Sequence, residues 1–298
     1  MSDSNADQRT LRQEVGAVWL ERDFLSIAGP DSLKFLQGQL SQNVDMALGA
    51  SVWSLLLQPQ GKMVALIRVT RMADDEFILD TDGGWGEVVA ERLNRFKIRV
   101  KATIDAKPWR CLALRGARAH EVRATTTTAA LALEADWPGL PGVDMVGEDP
   151  EVSRATPLCS REAYEAVRIE AGIPMMGLEL DERTIPAEAG IVDRTVSFTK
   201  GCYTGQELVA RIDSRGGKVP RNLRGVVIDG DAVPPPGALL KFDGKDVGSL
   251  TSAAKSVVRA APVALAYVGR AVEVPAELVV EWDGRSAPAR VEPLPLVP

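Results

Sequence analysis

The sequence predicts an α+β protein, a mixed helix-and-strand body followed by a small antiparallel β-barrel or sandwich. Three observations carry this. The chain has 298 residues, enough for about two domains or three small ones. Helical spacings and strand-like apolar runs alternate up to about Pro220. Beyond it, short apolar runs broken by turn residues fill the remainder, with almost no helical periodicity.

In order along the chain, Val18–Leu20 and Phe24–Ile27 read as short strands around an Arg22-Asp23 turn. Pro30-Asp31-Ser32 opens a helix through Leu40, with Leu33, Leu36 and Leu40 at helical spacing. Ser51–Gln58 and Met63–Met72 form a hairpin across Pro59-Gln60-Gly61-Lys62. Ala73-Asp74-Asp75 leads into a strand at Glu76–Asp80. Asp82-Gly83-Gly84 then precedes a helix carrying Trp85, Val88, Val89, Leu93 and Phe96 on one face. Ile98–Ile104 and Cys111–Leu114 read as strands. The stretch from Glu121 to Pro157, with its Thr125–Thr128 run, reads as a small helix plus a variable loop. Ser160 caps a helix that Gly172 and Pro174 end after Ala171. The last strands are Leu223–Ile228, Ala238–Phe242, Val247–Thr251, Val263–Val268, Leu278–Trp282 and Ala287–Val291. Asp243-Gly244 and Asp283-Gly284 mark hairpins among them.

Composition narrows the chemistry. With 35 Lys+Arg against 41 Asp+Glu, the net charge of −6 argues against a surface that grips nucleic acid throughout. His120 is the sole histidine, so a multi-histidine metal centre is excluded. Cys111, Cys159 and Cys202 are too few and too far apart for a CxxC clamp, and they suit a reducing compartment. MSDSNADQRT lacks the apolar region of a signal peptide, and no apolar run is long enough to span a membrane. A cytoplasmic protein with neither membrane nor direct nucleic-acid partners is expected.

Most local motifs read plainly. Asp82-Gly83-Gly84-Trp85-Gly86 lacks the third small residue of a dinucleotide loop, so its glycines are turn formers. His120 reads as a surface histidine, and Cys111 and Cys159 as buried apolar thiols.

Lys200-Gly201-Cys202-Tyr203-Thr204-Gly205-Gln206-Glu207 differs. Cys202 sits between glycines just before a short helix carrying Leu208, Val209 and Ile212. A helix N-terminus and Lys200 would both favour its thiolate. From the residues alone two readings stay open, a reactive thiol or a structural turn with an incidental cysteine. Arg211, Arg215, Lys218, Arg221 and Arg224 follow, either a solvated face or a receptor for ligand carboxylates. Glu170 falls in the last turn of its helix, where an anion is disfavoured by about 0.3–1 kcal/mol. It is either oriented toward a ligand or simply solvent-facing.

Together these residues resemble the YgfZ family of folate-binding proteins, relatives of the glycine-cleavage T-protein (aminomethyltransferase). The Lys200–Glu207 octet, continued through Leu208-Val209-Ala210-Arg211 to Arg215-Gly216, carries the resemblance. Weaker similarity covers residues 29–44, 58–63, 168–190 and 248–254. The resemblance implies a cloverleaf of three small domains. These are two mixed α/β lobes with interleaved segments, within a core at residues 12–220, and a barrel at 221–298, set around a central folate cavity. It implies that Glu170 binds the pterin and that Cys202 is a functional thiol facing the same cavity. It also implies that Lys200, Tyr203, Gln206, Glu207, Arg211 and Arg215 help to hold tetrahydrofolate.

One departure stands out. The T-protein carries an Asp-Asp pair, one member catalytic, where this sequence has Ala65 and Leu66, neither of which can accept a proton. The expected function is therefore tetrahydrofolate binding in support of iron–sulfur cluster assembly or repair in client enzymes, including tRNA-modifying ones. Two alternatives are a folate-dependent one-carbon transferase or demethylase using Glu207 or Asp193, and a binding module whose folate cavity is vestigial.

Overall fold

The structure, a computed structural model, describes residues 3–125 and 128–298. Met1, Ser2 and the centre of the threonine run, Thr126 and Thr127, lie outside the described residues. The chain begins with α1 (Ser4–Gln13), β1 (Gly16–Leu20), β2 (Arg22–Ala28), α2 (Ser32–Gln39), β3 (Ser51–Leu57), β4 (Met63–Ala73) and β5 (Glu76–Asp82). It continues through α3 (Gly86–Phe96), β6 (Thr103–Lys107), β7 (Arg110–Arg115), α4 (Ala119–Ala124), β8 (Leu131–Glu134) and β9 (Gly142–Gly147). Next come α5 (Arg161–Ala171), α6 (Val192–Thr195) and α7 (Gln206–Ser214). The remainder is β10 (Arg221–Ile228), β11 (Leu239–Phe242), β12 (Lys245–Ser256), β13 (Ala261–Gly269), β14 (Ala276–Trp282) and β15 (Arg285–Glu292).

These elements fall into two compact units, each built from separated stretches of chain. The first comprises Met1–Leu20, Arg110–Pro174 and Pro220–Pro298; the second, Glu21–Trp109 and Met175–Val219.

The first unit holds an antiparallel sheet in the order β1-β7-β9-β8 and a closed barrel in the order β10-β13-β12-β11-β14-β15. Strand alternation fills the barrel with Val226, Ile228, Leu240, Val268, Val280 and Val291, all buried. At the two hairpins Asp243 and Gly244 have φ of 50° and 74°, and Asp283 and Gly284 have 45° and 72°. Positive φ at both central residues is what a two-residue turn needs to match strand twist. Helix α5 begins at Ser160, whose hydroxyl accepts from the Ala163 amide at 3.3 Å, and ends at Gly172 with φ 73°.

The second unit is a sheet in the order β3-β4-β5-β2-β6 covered on both faces. Ala65, Ile67 and Val69 of β4 pack with Leu36 of α2 and Leu93 of α3. Leu66, on the opposite face, packs with Leu55, Met176 and Leu180. Arg68 on that face is 1% exposed and paired with Asp80, which also accepts from Arg22.

Three expectations are corrected. Arg22-Asp23 is not a turn between paired strands: β1 pairs with β7, and Arg22 and Asp23 lie within β2, opposite Asp82 and Thr81 of β5. The strand expected at Ile98–Ile104 begins only at Thr103, and Ile98 is 77% exposed. Ile98 follows directly on the end of α3 and faces solvent, while Val100 and Ala102 pack on the core without joining the ladder. The variable loop expected between Glu121 and Pro157 contains β8 and β9. Every residue of β9 is buried, so the alternation that marks a half-buried strand is missing from the sequence.

Candidate functional site

The octet loop belongs to the second unit and is built by close backbone approach. Gly205 is the N-cap of α7 with φ 85°. A Cβ there would lie 2.5 Å from the Gln58 carbonyl oxygen, and one on Gly61 would lie 2.6 Å from the Leu208 Cβ. Both positions therefore require glycine: the β3–β4 hairpin tip rests directly on the start of α7.

Three octet side chains hold the loop in place. Lys200 Nζ donates to the carbonyls of Gln37, Leu40 and Gln42 at 2.9, 2.7 and 2.9 Å, satisfying the C-terminal end of α2. Burial pushes this ammonium down to about 8. Its three donors are thus engaged at the end of α2. Tyr203 is 9% exposed and packs in the apolar cluster with Leu55 and Met176, and burial pushes its phenol up to about 12. The Gln206 side-chain oxygen accepts from the Tyr203 amide at 3.2 Å. Cys202, by contrast, is exposed, whereas Cys111 and Cys159 are buried. Burial, aided by Asp7, pushes the Cys159 thiol up to about 11, as an inert thiol requires.

Helix α7 presents two different faces. Glu207 and Arg211, four residues apart on the helix, and Arg215 at its C-cap are exposed. Leu208, Val209, Ile212 and Asp213 form another face, which lines a cleft of about 200 Å³ together with Gly61, Pro186, Val192 and Asp193. The remaining members of the basic run, Arg221 and Arg224, lie on β10 in the first unit. Arg221 sits 4.3 Å from the Tyr267 ring centre.

Ala65 and Leu66, set by the resemblance against the T-protein acidic pair, are 0% and 4% exposed, each inside an apolar cluster. The Leu66 amide faces the Met176 sulfur at 3.4 Å. A carboxylate there would be desolvated without a partner.

Glu170 occupies the first unit and is not the solvent-facing glutamate of one sequence reading. It is 0% exposed. One carboxylate oxygen accepts from Arg12 Nε at 2.6 Å and forms an ion pair with Nη2 at 2.5 Å, and the other accepts from the Ser256 hydroxyl. The anion at the C-terminal end of α5 is therefore neutralised from α1 and tied to the barrel. Neighbouring side chains extend the seam. Asp7 accepts from the Ser160 amide at 2.8 Å, and Gln8 bridges the Lys255 carbonyl and the Val257 amide at 2.9 and 3.0 Å. Sequence reasoning missed Arg12 and Ser256, which stand 158 and 86 positions from Glu170. It also missed the buried Arg115–Asp144 pair at 2.9 Å, over which Trp137 stacks.

His120 is exposed, its ring 3.6 Å from Glu134. Among the described residues, no group of three or more His, Cys, Asp or Glu could hold a metal ion, and no helix is long and apolar enough to cross a membrane.

Comparison with known proteins places this architecture. Residues 3–140 match the GCVT N-terminal domain and residues 221–298 the glycine cleavage T-protein C-terminal barrel domain. An aminomethyltransferase of Moorella thermoacetica is 29% identical over 311 residues, covering 91% of this chain and 83% of the relative. A protein of Klebsiella pneumoniae named tRNA-modifying protein YgfZ is 30% identical over 215 residues, 64% of this chain and 65% of the relative. An uncharacterized Haemophilus influenzae protein is 26% identical over 201 residues, and the match spans 66% of its length. The crystal structure of glycine cleavage system aminomethyltransferase T from Bartonella henselae aligns with a TM-score of 0.83. That alignment covers 99% of this chain and 89% of the other at 20% identity, a likeness of fold. The chain belongs to the glycine-cleavage T-protein family.

Proposed function

We propose that this chain binds tetrahydrofolate and supports assembly or repair of iron–sulfur clusters in client enzymes, tRNA-modifying enzymes among them. The observation that supports this most is a pairing. Cys202 stands exposed on a loop fixed by Lys200, Gly205 and Gln206, while Leu66 fills with packed hydrocarbon the place where an aminomethyltransferase needs a carboxylate. The YgfZ relative supports the same branch.

The residues present fit part of the ligand. Arg211 and Arg215, exposed and one turn apart, suit the carboxylates of a glutamate tail through their planar donor forks. Glu207 on the same face can accept from an amide or amine of the ligand. Lys200, Tyr203 and Gln206 hold the loop on which these groups stand. Glu170 has both oxygens engaged by Arg12 and Ser256, and this reading assigns it no direct contact with the ligand. When bound, tetrahydrofolate supplies a reduced pterin whose nitrogens can carry a one-carbon unit. The exposed Cys202 thiolate transiently ligates the client's cluster, and the protein works in the cytoplasm, where that thiol stays reduced.

Calorimetric titration with tetrahydrofolate tests the binding, and complementation of a deficient strain with Cys202→Ala tests the thiol. Full restoration of cluster-enzyme activity by that variant would remove Cys202 from the mechanism.

A second reading, a folate-dependent one-carbon transferase using Asp193 or Glu207, is favoured by the aminomethyltransferase likeness across 91% of the chain. Turnover of a methylamine donor to methylene-tetrahydrofolate distinguishes it from the first.

A further inference from the structure

We propose that the outer face of α3 and the loop after it form a docking surface for an acidic peptide segment of a partner protein, one that also carries apolar side chains. The chain has a net charge of −6, yet Arg92, Arg95, Lys97, Arg99 and Lys101 fall within ten residues that contain no acid. Among the described residues none of the five makes an ion pair. Val88 and Phe96 of α3 are exposed, as is Ile98 beyond it. Val88, Arg92 and Phe96 follow one another at a spacing of one turn, so charge and hydrocarbon share one helix face.

The loop is held in place before any partner arrives. Lys97 Nζ donates to the Ala102 carbonyl at 2.8 Å and closes residues 97–102 on themselves. The Lys101 amide donates to Asp31 Oδ2 at 2.8 Å. A Cβ on Gly29 would lie 2.5 Å from the Lys101 carbonyl oxygen, so the chain entering α2 braces the loop closely. Val100 and Ala102 pack on the core, while Arg99, with φ 57°, turns the chain between them and Ile98. A surface fixed in this way loses little conformational freedom on binding.

Its positive charge is uncompensated. Arg92 Nη2 donates to the Leu57 carbonyl at 3.1 Å, whereas Nη1 is buried with no hydrogen-bond partner. Burial, and then the Arg95 charge, push this guanidinium below its ordinary value. A carboxylate brought to Arg92 and Arg95 would relieve both. The apolar side chains select among anions. Phe96, the one aromatic ring in the run, already stacks with the Arg92 guanidinium at 3.7 Å, which competes with a stacking base. Inorganic phosphate makes no use of the aliphatic Ile98. Carboxylates interspersed with apolar side chains satisfy both kinds of group. This surface involves neither α7 nor Cys202, and it does not depend on folate binding.

The test uses the full chain and a fluorescent peptide in which Asp and Glu alternate with Leu and Phe, read by anisotropy. The peptide should bind saturably at about 50 mM salt and at least about fivefold more weakly at about 300 mM. Its Asn/Gln counterpart should bind about tenfold worse. Arg95→Gln with Arg99→Asn, an exchange that tolerates positive φ, should weaken the acidic peptide about tenfold. Ile98→Ser should weaken it about threefold and leave the salt dependence unchanged. Both variants should melt with the parent, and Lys245→Gln, at an exposed end of β12, should alter nothing. No saturable peptide binding by the folded parent, or undiminished binding by these variants, would overturn the proposal. So would tighter binding of oligouridylate or of phosphatidylserine vesicles through the same residues, which would assign the surface to RNA or to a membrane.

Discussion

Gly61 and Gly205 meet across the second unit so closely that a Cβ on Gly205 would stand 3.3 Å from the Gly61 Cα and 2.5 Å from the Gln58 oxygen. The hairpin tip and the octet are thereby one rigid piece. Gly205→Ala must move the backbone from φ 85° or push the hairpin away. A loss of about 3 kcal/mol in unfolding free energy is expected, measured by denaturant titration. A variant as stable as the parent would show that the loop is not built on this contact.

The Arg12–Glu170 pair gives a second expectation. Removing one partner leaves a buried charge, so Glu170→Met alone should cost about 3–5 kcal/mol. Arg12→Met with Glu170→Met should cost less than the single change, because no unpaired charge remains. A double-mutant cycle by chemical denaturation reads the coupling. Folate affinity of folded Glu170→Gln should stay within about threefold of the parent, a difference of only about 0.7 kcal/mol.

Lys200 predicts a pH dependence. Its ammonium is pushed by burial to about 8 in the folded chain, below its ordinary value. Charging it therefore costs stability, and that cost is fully present below pH 8. Between about pH 8 and 10.4 the unfolded chain holds the proton and the folded chain releases it, so stability rises with pH. Thermal unfolding of the parent and Lys200→Met across this range should show the parent gaining on the variant. A parallel pair of curves would contradict it.

Leu66→Asp tests the lost acidic position. The new carboxylate would lie among Leu55, Met176 and Leu180 with no cation assigned to it, at an expected cost of about 3 kcal/mol or more. It should not generate aminomethyl transfer from a methylamine donor. Turnover by this variant would mean that Leu66 alone separates the chain from the transferases.

Much of this was legible before any coordinates. The barrel followed from short alternating strands and two Asp-Gly turns, both local signals. The Ser160 cap and the Gly172 stop needed no tertiary information either. What escaped was set by distance or by burial on both sides. β9 lacks alternation because neither of its faces is wet. Glu170 looked like an anion in an unfavourable place because Arg12 and Ser256 come from remote parts of the chain. The octet was recognisable as a motif, yet which of its side chains build the loop and which face outward depended on the α2 carbonyls that receive Lys200. The cleft with Asp193 and Asp213 was hidden for the same reason, since its walls join Gly61 to residues 185–193 and 208–217.

The central claim is folate binding through the exposed basic face of α7, and titration calorimetry with tetrahydrofolate tests it most directly. The parent protein should bind with saturable one-to-one heat. Arg211→Ala with Arg215→Ala should weaken binding about tenfold or more while leaving the melting temperature unchanged. Absence of binding heat in a well-folded parent, or undiminished affinity in the double variant, would contradict the account.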